Sequence, residues 1–186
     1  MGWFIRKIRT MLWTLFYYTF SRLFFVGLGH GCRFEGWVEF PLRGGKVMLG
    51  DRVYVCRRTT WTVLDGATLS LGSGVFIGPG IVMSAHRAIR VGNDSLLAEY
   101  VSIYDNEHIW SDIHKPIAEQ GYATSPCSIG NGCWIGSGSK ILMGGSLGDN
   151  CILGAGAVLK KPLPAGVVAV GVPAMVIRFR DDGKTR

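Results

Sequence analysis

Long uncharged apolar runs, paired cysteines and metal-binding motifs are all missing from this chain of 186 residues. The uncharged stretch between Arg9 and Arg22 falls short of the roughly 20 apolar residues that a helical membrane span requires. No small-residue cleavage site follows it, which argues against a signal peptide. The five cysteines are odd in number and lack a paired spacing, which points to a reducing compartment. There is no CxxC pair and no HExxH, so no motif speaks for a metal. Charge is scarce too, at 18 % of residues, and acids are the scarcer sign, leaving a net charge of +7. That balance favours an anionic partner. An RNA-binding signature, a zinc knuckle and a Lys/Arg block are all absent, so nucleic acid ranks last.

What is present divides into two regions. Hydrophobic residues make up 48 % of the chain, enough for a sizeable core at this length. The segment from Trp3 to about Leu28 is rich in Trp, Phe and Tyr, carries Arg6, Lys7, Arg9 and Arg22, and has no acidic residue. At helical spacing, Arg6, Thr10, Thr14, Tyr17 or Tyr18, and Ser21 form one polar stripe; Met11, Leu12, Leu15, Phe16 and Leu23 fill the opposite side. Residues 1–29 therefore read as an amphipathic helix. Packing against the core or another subunit is one use for it. The abundance of aromatics favours a second, an anchor lying in a membrane interface with its bases on anionic lipid.

From about Cys32 the punctuation changes to glycine, 27 residues in all, scattered through apolar sequence as many tight corners would require. Ile129, Ile135, Ile141, Leu147 and Leu153 recur six residues apart, usually with glycine next. The same beat joins Leu49 to Val55, Leu71 to Ile77 and Met83, and Val91 to Leu97 and Ile103. Neither a helix nor an ordinary strand has that period, whereas a β-helix built from hexads does. Each hexad is a short strand plus a corner. Its aliphatic residue points inward, and successive coils stack about 4.8 Å apart. Small residues fill the slot four positions on, at Cys133, Ser139, Gly145, Cys151 and Ala157. The expected fold is all-β, a triangular prism with three hexads per coil, over residues 30–178, followed by a short tail at 179–186. An extended loop is expected at about 104–128, where the beat pauses.

The stretch SIGNGCWIGSGSKILMGGSLGDNCILGAGAVLKKPLPAGVVAVGVPAMVIR resembles the C-terminal half of hexapeptide-repeat acyltransferases. It is most similar to the maltose/galactoside acetyltransferase-like branch, which includes surface-polysaccharide O-acetyltransferases. The likeness covers roughly Cys32 to Arg178. It implies a left-handed parallel β-helix, a homotrimer with active sites between neighbouring prisms, acetyl-CoA as co-substrate and a saccharide acceptor. With the anchor it implies a cytoplasmic enzyme on the inner face of the membrane, acting on a surface polysaccharide or its lipid-linked precursor.

The resemblance also assigns residues. Relatives of this branch show Asp-His-Asp-His before the loop and Pro-Ile-x-x-Gln-Gly within it. Here these are Asp105-Asn106-Glu107-His108 and Pro116 to Gly121, so Asn106 replaces the first histidine and His108 matches the catalytic one. Chemistry agrees. An imidazole with a pKa near 6.5 can take the proton of a sugar hydroxyl and return it to a leaving thiolate. Asp105 or Glu107 is a candidate to orient that ring, and His86 and His114 are candidates for the acceptor side. Trp134, placed at a corner, matches a position beside the pantetheine arm. Ser137 and Ala155 match positions whose backbone lies along the cofactor, while Lys160, Lys161 and Arg178 match groups near its phosphates. Met175 stands where an arginine is common, and Arg180 is a candidate substitute. Cys133 and Cys151 fall in inward slots and are expected to be unreactive, so direct transfer in a ternary complex is expected. Two alternatives remain on sequence grounds: a γ-type carbonic anhydrase using His86, His108 and His114 on a metal, and a non-catalytic scaffold.

Overall fold

The structure, a computed structural model, describes residues 2–39 and 44–180, with the side chains of residues 2 and 3 excepted. The expected tail thus lies mostly outside the described residues. The body is a parallel β-helix with three faces. The first face stacks Gly27–Leu28, Lys46–Leu49, Thr68–Leu71, Ala88–Val91, Cys127–Ile129 and Ser146–Leu147. The second stacks Arg33–Phe34, Tyr54–Val55, Phe76–Ile77, Leu96–Leu97, Trp134–Ile135, Ile152–Leu153 and Val167–Val170. The third stacks Val38–Glu39, Thr59–Val63, Val82–Ala85, Ser102–Tyr104, Lys140–Ile141 and Val158–Leu159. A last strand, Met175–Phe179, folds back antiparallel on Val167–Val170, and the Arg180 N–H bonds the Gly166 carbonyl at 2.7 Å.

The six-residue beat becomes three internal ladders. Leu49, Leu71, Val91, Ile129 and Leu147 align on the first face. Val55, Ile77, Leu97, Ile135 and Leu153 align on the second. Trp61, Met83, Ile103, Ile141 and Leu159 align on the third. All are buried. The small-residue slot behaves as the spacing requires, with Cys133, Ser139, Cys151 and Ala157 buried at the corners.

The recurring glycines answer two separate demands. Gly136, which follows an inward aliphatic, leaves no room for a side chain: a Cβ there would sit 2.4 Å from the Ala155 nitrogen of the next coil. Gly132 instead supplies a left-handed turn, with φ of 61°. Asn150 fills the equivalent place three hexads later with φ of 58°, a conformation asparagine tolerates.

Helix α1 (Gly2–Thr19) closes the first coil. Its polar stripe faces the β-helix, where backbone N–H groups of the lowest coil have no earlier coil to bond. The Tyr17 hydroxyl accepts from Val38 N at 2.8 Å, Thr14 Oγ1 from Phe34 N at 3.0 Å, and the Tyr18 hydroxyl from Cys32 N at 2.9 Å. Tyr17 is fully buried against Phe34 and Phe25, and burial pushes its phenol up to about 12. Arg6 Nε donates to Glu35 at 2.6 Å. The apolar side of α1 faces outward: Met11 and Leu15 are each 64 % exposed, with Phe4, Ile5, Ile8 and Leu12 beside them. No helix among the described residues is long and apolar enough to cross a membrane.

Candidate active site

His108 and His86 converge at one corner, between the third and first faces. The chain leaves Ser102–Tyr104 as a hairpin, Asn106–His108 against Tyr122–Thr124, before rejoining the first face at Cys127. The hairpin register sets His108 opposite Tyr122, and their ring centroids lie 4.3 Å apart. His86, from the same corner one coil earlier, meets the same tyrosine edge-on at 4.6 Å. Two histidines more than 20 residues apart thus share one aromatic ring.

Asp105 anchors this corner from below. It is fully buried, and its carboxylate accepts the backbone N–H groups of His86, Arg87 and Ala88 at 2.7, 2.8 and 2.6 Å. Asn106 donates to the Ser84 carbonyl at 3.1 Å. The expectation that Asp105 or Glu107 orients the His108 ring is not met. Asp105 is committed to the backbone, and Glu107 accepts from the Trp110 indole at 3.4 Å. The Tyr122 ring instead lies against the imidazole, tilted by 37°.

The Pro-Ile-x-x-Gln-Gly segment braces the outer loop. Gln120 Oε1 accepts from Asp112 N at 3.1 Å, and its Nε2 donates to the Asp112 and Lys115 carbonyls at 2.9 and 2.8 Å. His114 sits exposed in that loop, its N–H on Asp112 Oδ1 at 3.0 Å, and does not join the two other histidines. Among the described residues no group of three His, Cys, Asp or Glu side chains is placed to hold a metal ion.

The residues matched to the cofactor lie elsewhere on the prism. Trp134 is in the strand Trp134–Ile135 rather than at a corner, because the position before an inward aliphatic points outward; it is 53 % exposed. It belongs to an external row on the second face, Tyr54, Phe76, Leu96, Trp134 and Ile152, in continuous register. Ser137 and Ala155 occupy successive turns at the corner between the second and third faces. Ser137 Oγ donates to Glu99 Oε1 at 2.8 Å; the Glu99 backbone N–H and this hydroxyl hold the Glu99 carboxyl below its ordinary pKa. Arg178 is exposed on the closing strand, paired opposite Val168. Lys160 and Lys161 are exposed after the last third-face strand. Arg180 donates to the Asn150 carbonyl at 2.8 Å. Within one chain, therefore, the histidine corner and the Ser137–Ala155 corner are different edges of the prism.

All five cysteines are buried and none forms a disulfide. Burial pushes the thiols of Cys56, Cys127 and Cys133 up to about 11, far from a nucleophilic thiolate at neutral pH. Tyr122 and Glu99 are the site residues that motif reading passed over. Tyr122 follows Gln120-Gly121 directly, but only the hairpin register reveals its partner.

Fold and repeat are those of the hexapeptide-repeat acyltransferases, with their left-handed parallel β-helix. The family described as the hexapeptide repeat of succinyl-transferase matches residues 126–161. A probable acetyltransferase of Mycobacterium tuberculosis is 32 % identical over 83 % of this chain and 50 % of its own length. The galactoside O-acetyltransferase of Escherichia coli is 31 % identical over 80 % of this chain and 63 % of its own. A putative colanic acid biosynthesis acetyltransferase of Escherichia coli is 28 % identical over 77 % and 75 %. The chain thus spans between half and two thirds of the first two relatives. Among solved structures, a maltose O-acetyltransferase from Clostridium difficile overlays with a TM-score of 0.60 at 26 % identity, covering 87 % of this chain and 73 % of that one. A Vibrio cholerae hexapeptide-repeat acetyltransferase complexed with acetyl coenzyme A overlays with 0.61 at 22 % identity, over 89 % and 76 %.

Proposed function

We propose that the protein is an acetyl-CoA-dependent O-acetyltransferase that modifies a sugar hydroxyl of a bacterial surface polysaccharide or its lipid-linked precursor. The observation that carries this reading is the His86–Tyr122–His108 cluster on a rigid corner of an acyltransferase fold. Nε2 or Nδ1 of His108 takes the proton of the acceptor hydroxyl as its oxygen attacks the thioester carbonyl. The new C–O bond forms and the C–S bond breaks, and the proton passes on to the leaving thiolate. Tyr122 holds the ring for this exchange, and His86 faces the same acceptor space. Trp134, Ser137, Ala155, Lys160, Lys161 and Arg178 receive the cofactor, with exposed cations suited to its phosphates.

The split between two prism edges supports a homotrimer in which one copy offers the histidine corner and its neighbour the Ser137–Ala155 corner. The external apolar row on the second face supplies a surface for such packing. The outward apolar side of α1 supports peripheral attachment to the inner face of the cytoplasmic membrane, where a lipid-linked acceptor resides. Replacing His108 with alanine is expected to lower kcat by about 10²–10⁴-fold with acetyl-CoA binding unchanged, read by thiol release on candidate saccharides. Undiminished turnover in that variant removes His108 from the chemistry.

A further inference from the structure

The prism edge that carries Ser137 and Ala155 continues below them, and the acyl-transfer residues leave its lower part unused. Backbone bonds follow it down coil by coil: Gly156 N–H to the Ser137 carbonyl, Gly138 to Glu99, Tyr100 to Pro79 and Gly80 to Arg57. The left-handed position of this corner is glycine at Gly80, Gly138 and Gly156, but Arg58 and Tyr100 hold it with φ of 61° and 59°. Bulky side chains rarely adopt that conformation, so the chain accepts strain to place a guanidinium and a phenol here. Arg57 and Arg58, both exposed, line a recess of about 460 Å³ with Trp37, Glu39, Thr59 and Thr60. Its size falls in the range of small-ligand sites. Thr60 donates to Glu39 at 3.3 Å. Among the described residues, no hydrogen bond or ion pair engages either guanidinium. Two cations against one acid leave the recess positive. Trp37 supplies its aromatic surface, 44 % exposed and backed by Trp13, Phe16 and Phe24.

We propose that this recess binds the diphosphate of an activated sugar, the acceptor of acetyl transfer. The inference rests on the acetyl-transfer reading above and names the acceptor's chemical class. Heights along the axis carry it. His86 and His108 follow the third-face strands Val82–Ala85 and Ser102–Tyr104, in the same two coils as Gly80 and Tyr100. Cyclic symmetry keeps neighbouring prisms at one height, so a neighbour's histidines lie level with Gly80 and Tyr100. Arg57 and Arg58 sit one coil below Gly80 and two below Tyr100, about 5–10 Å. A single sugar ring covers that distance, with its hydroxyl at the imidazole and its phosphates on the arginines. The planar fork of arginine suits phosphate oxygens. Trp37 then receives what the diphosphate is joined to, a nucleotide base or an isoprenoid chain. A neutral polysaccharide gives the two guanidiniums nothing to bind.

The test is calorimetry on the full chain with coenzyme A saturating, so that the cofactor's own phosphate contacts are filled. The probes are uridine diphosphoglucose and farnesyl diphosphoglucose, with glucose as the control. Saturable binding of at least one diphosphate is expected, at least about tenfold tighter than glucose. The variant Arg57→Ala/Arg58→Gly is expected to weaken it by about tenfold or more, at unchanged coenzyme A binding and circular dichroism. Glycine at position 58 keeps the corner that Gly80 already uses. In acetyl transfer to the bound probe, the same variant is expected to raise KM and leave kcat, the mark of lost ground-state binding. Neither diphosphate exceeding glucose, or an unaffected double variant, overturns the proposal. Preference for the uridine probe assigns the recess to nucleotide-linked sugars, preference for the farnesyl probe to lipid-linked ones, and equal binding to the shared diphosphate. Arginine-dependent binding without acetyl transfer to either probe or to free saccharides sustains the diphosphate site and defeats the acetyl-transfer reading. Transfer to free saccharides at parental kcat/KM in the double variant, without diphosphate binding, does the reverse.

Discussion

Asp105 shows how one residue fixes a working corner. Its two oxygens serve three consecutive N–H groups, which an amide cannot do, since it has one acceptor oxygen and two donors. Asp105→Asn is therefore expected to cost about 1–3 kcal/mol in urea unfolding and to lower activity by displacing His86 from Tyr122. Glu35 makes a different prediction. Burial opposes its ionisation, but hydrogen bonds from Tyr54 and Arg6 and the charges of Arg6 and Arg9 outweigh it and hold its pKa below the ordinary value. A carboxylate depressed in the folded state adds stability that is complete above the unfolded value of about 4.3. That stability disappears as pH falls through the lower folded value. Melting temperature followed down to about pH 3 is expected to fall less steeply in Glu35→Gln than in the parent. His108 was legible as a motif residue. Tyr122 was not, because a pairing across a loop of unknown register leaves no trace in spacing.

At the scale of elements, the hexad is the most legible part of the chain. Ile129 to Leu159 states its own ladder positions, because an inward aliphatic every sixth residue satisfies only this geometry. Helix α1 was half legible. Its stripe of Arg6, Thr14 and Tyr17 or Tyr18 is visible at helical spacing, yet a polar stripe on an isolated helix is read as the solvent side. Here the solvent side is apolar, because the first coil presents N–H groups that hydroxyls satisfy better than aliphatics do. Tyr17→Phe leaves the Val38 N–H buried without its acceptor and is expected to destabilise the protein by about 1–3 kcal/mol, measured by thermal unfolding. Removing α1 altogether strips several such partners at once and takes Tyr17 from the core. Membrane attachment is better tested by Met11→Gln and Leu15→Gln, which leave the hydroxyl contacts to the first coil in place; vesicle flotation is expected to fall while the melting temperature holds.

For the whole molecule, the placement of His108 and Ala155 on different edges makes a prediction about assembly. Equal amounts of His108→Ala and Ala155→Trp chains, each inactive alone, are expected to recover about one quarter of parental activity after mixing through unfolding and refolding, because a composite site draws each half independently. Recovery near zero would place both halves in one chain. Sequence reading reached the trimer only through resemblance, since no spacing within one chain encodes a neighbour. A stack of parallel rungs has a further property that its two ends decide. Hydroxyls of α1 occupy the bonding positions of the lowest rung, and Met175–Phe179 covers the top of the second face by turning back on it. Among the described residues, the second face is covered at both ends. Growth along the axis into a filament through that face is thus blocked, which leaves side-by-side association as a route to assembly.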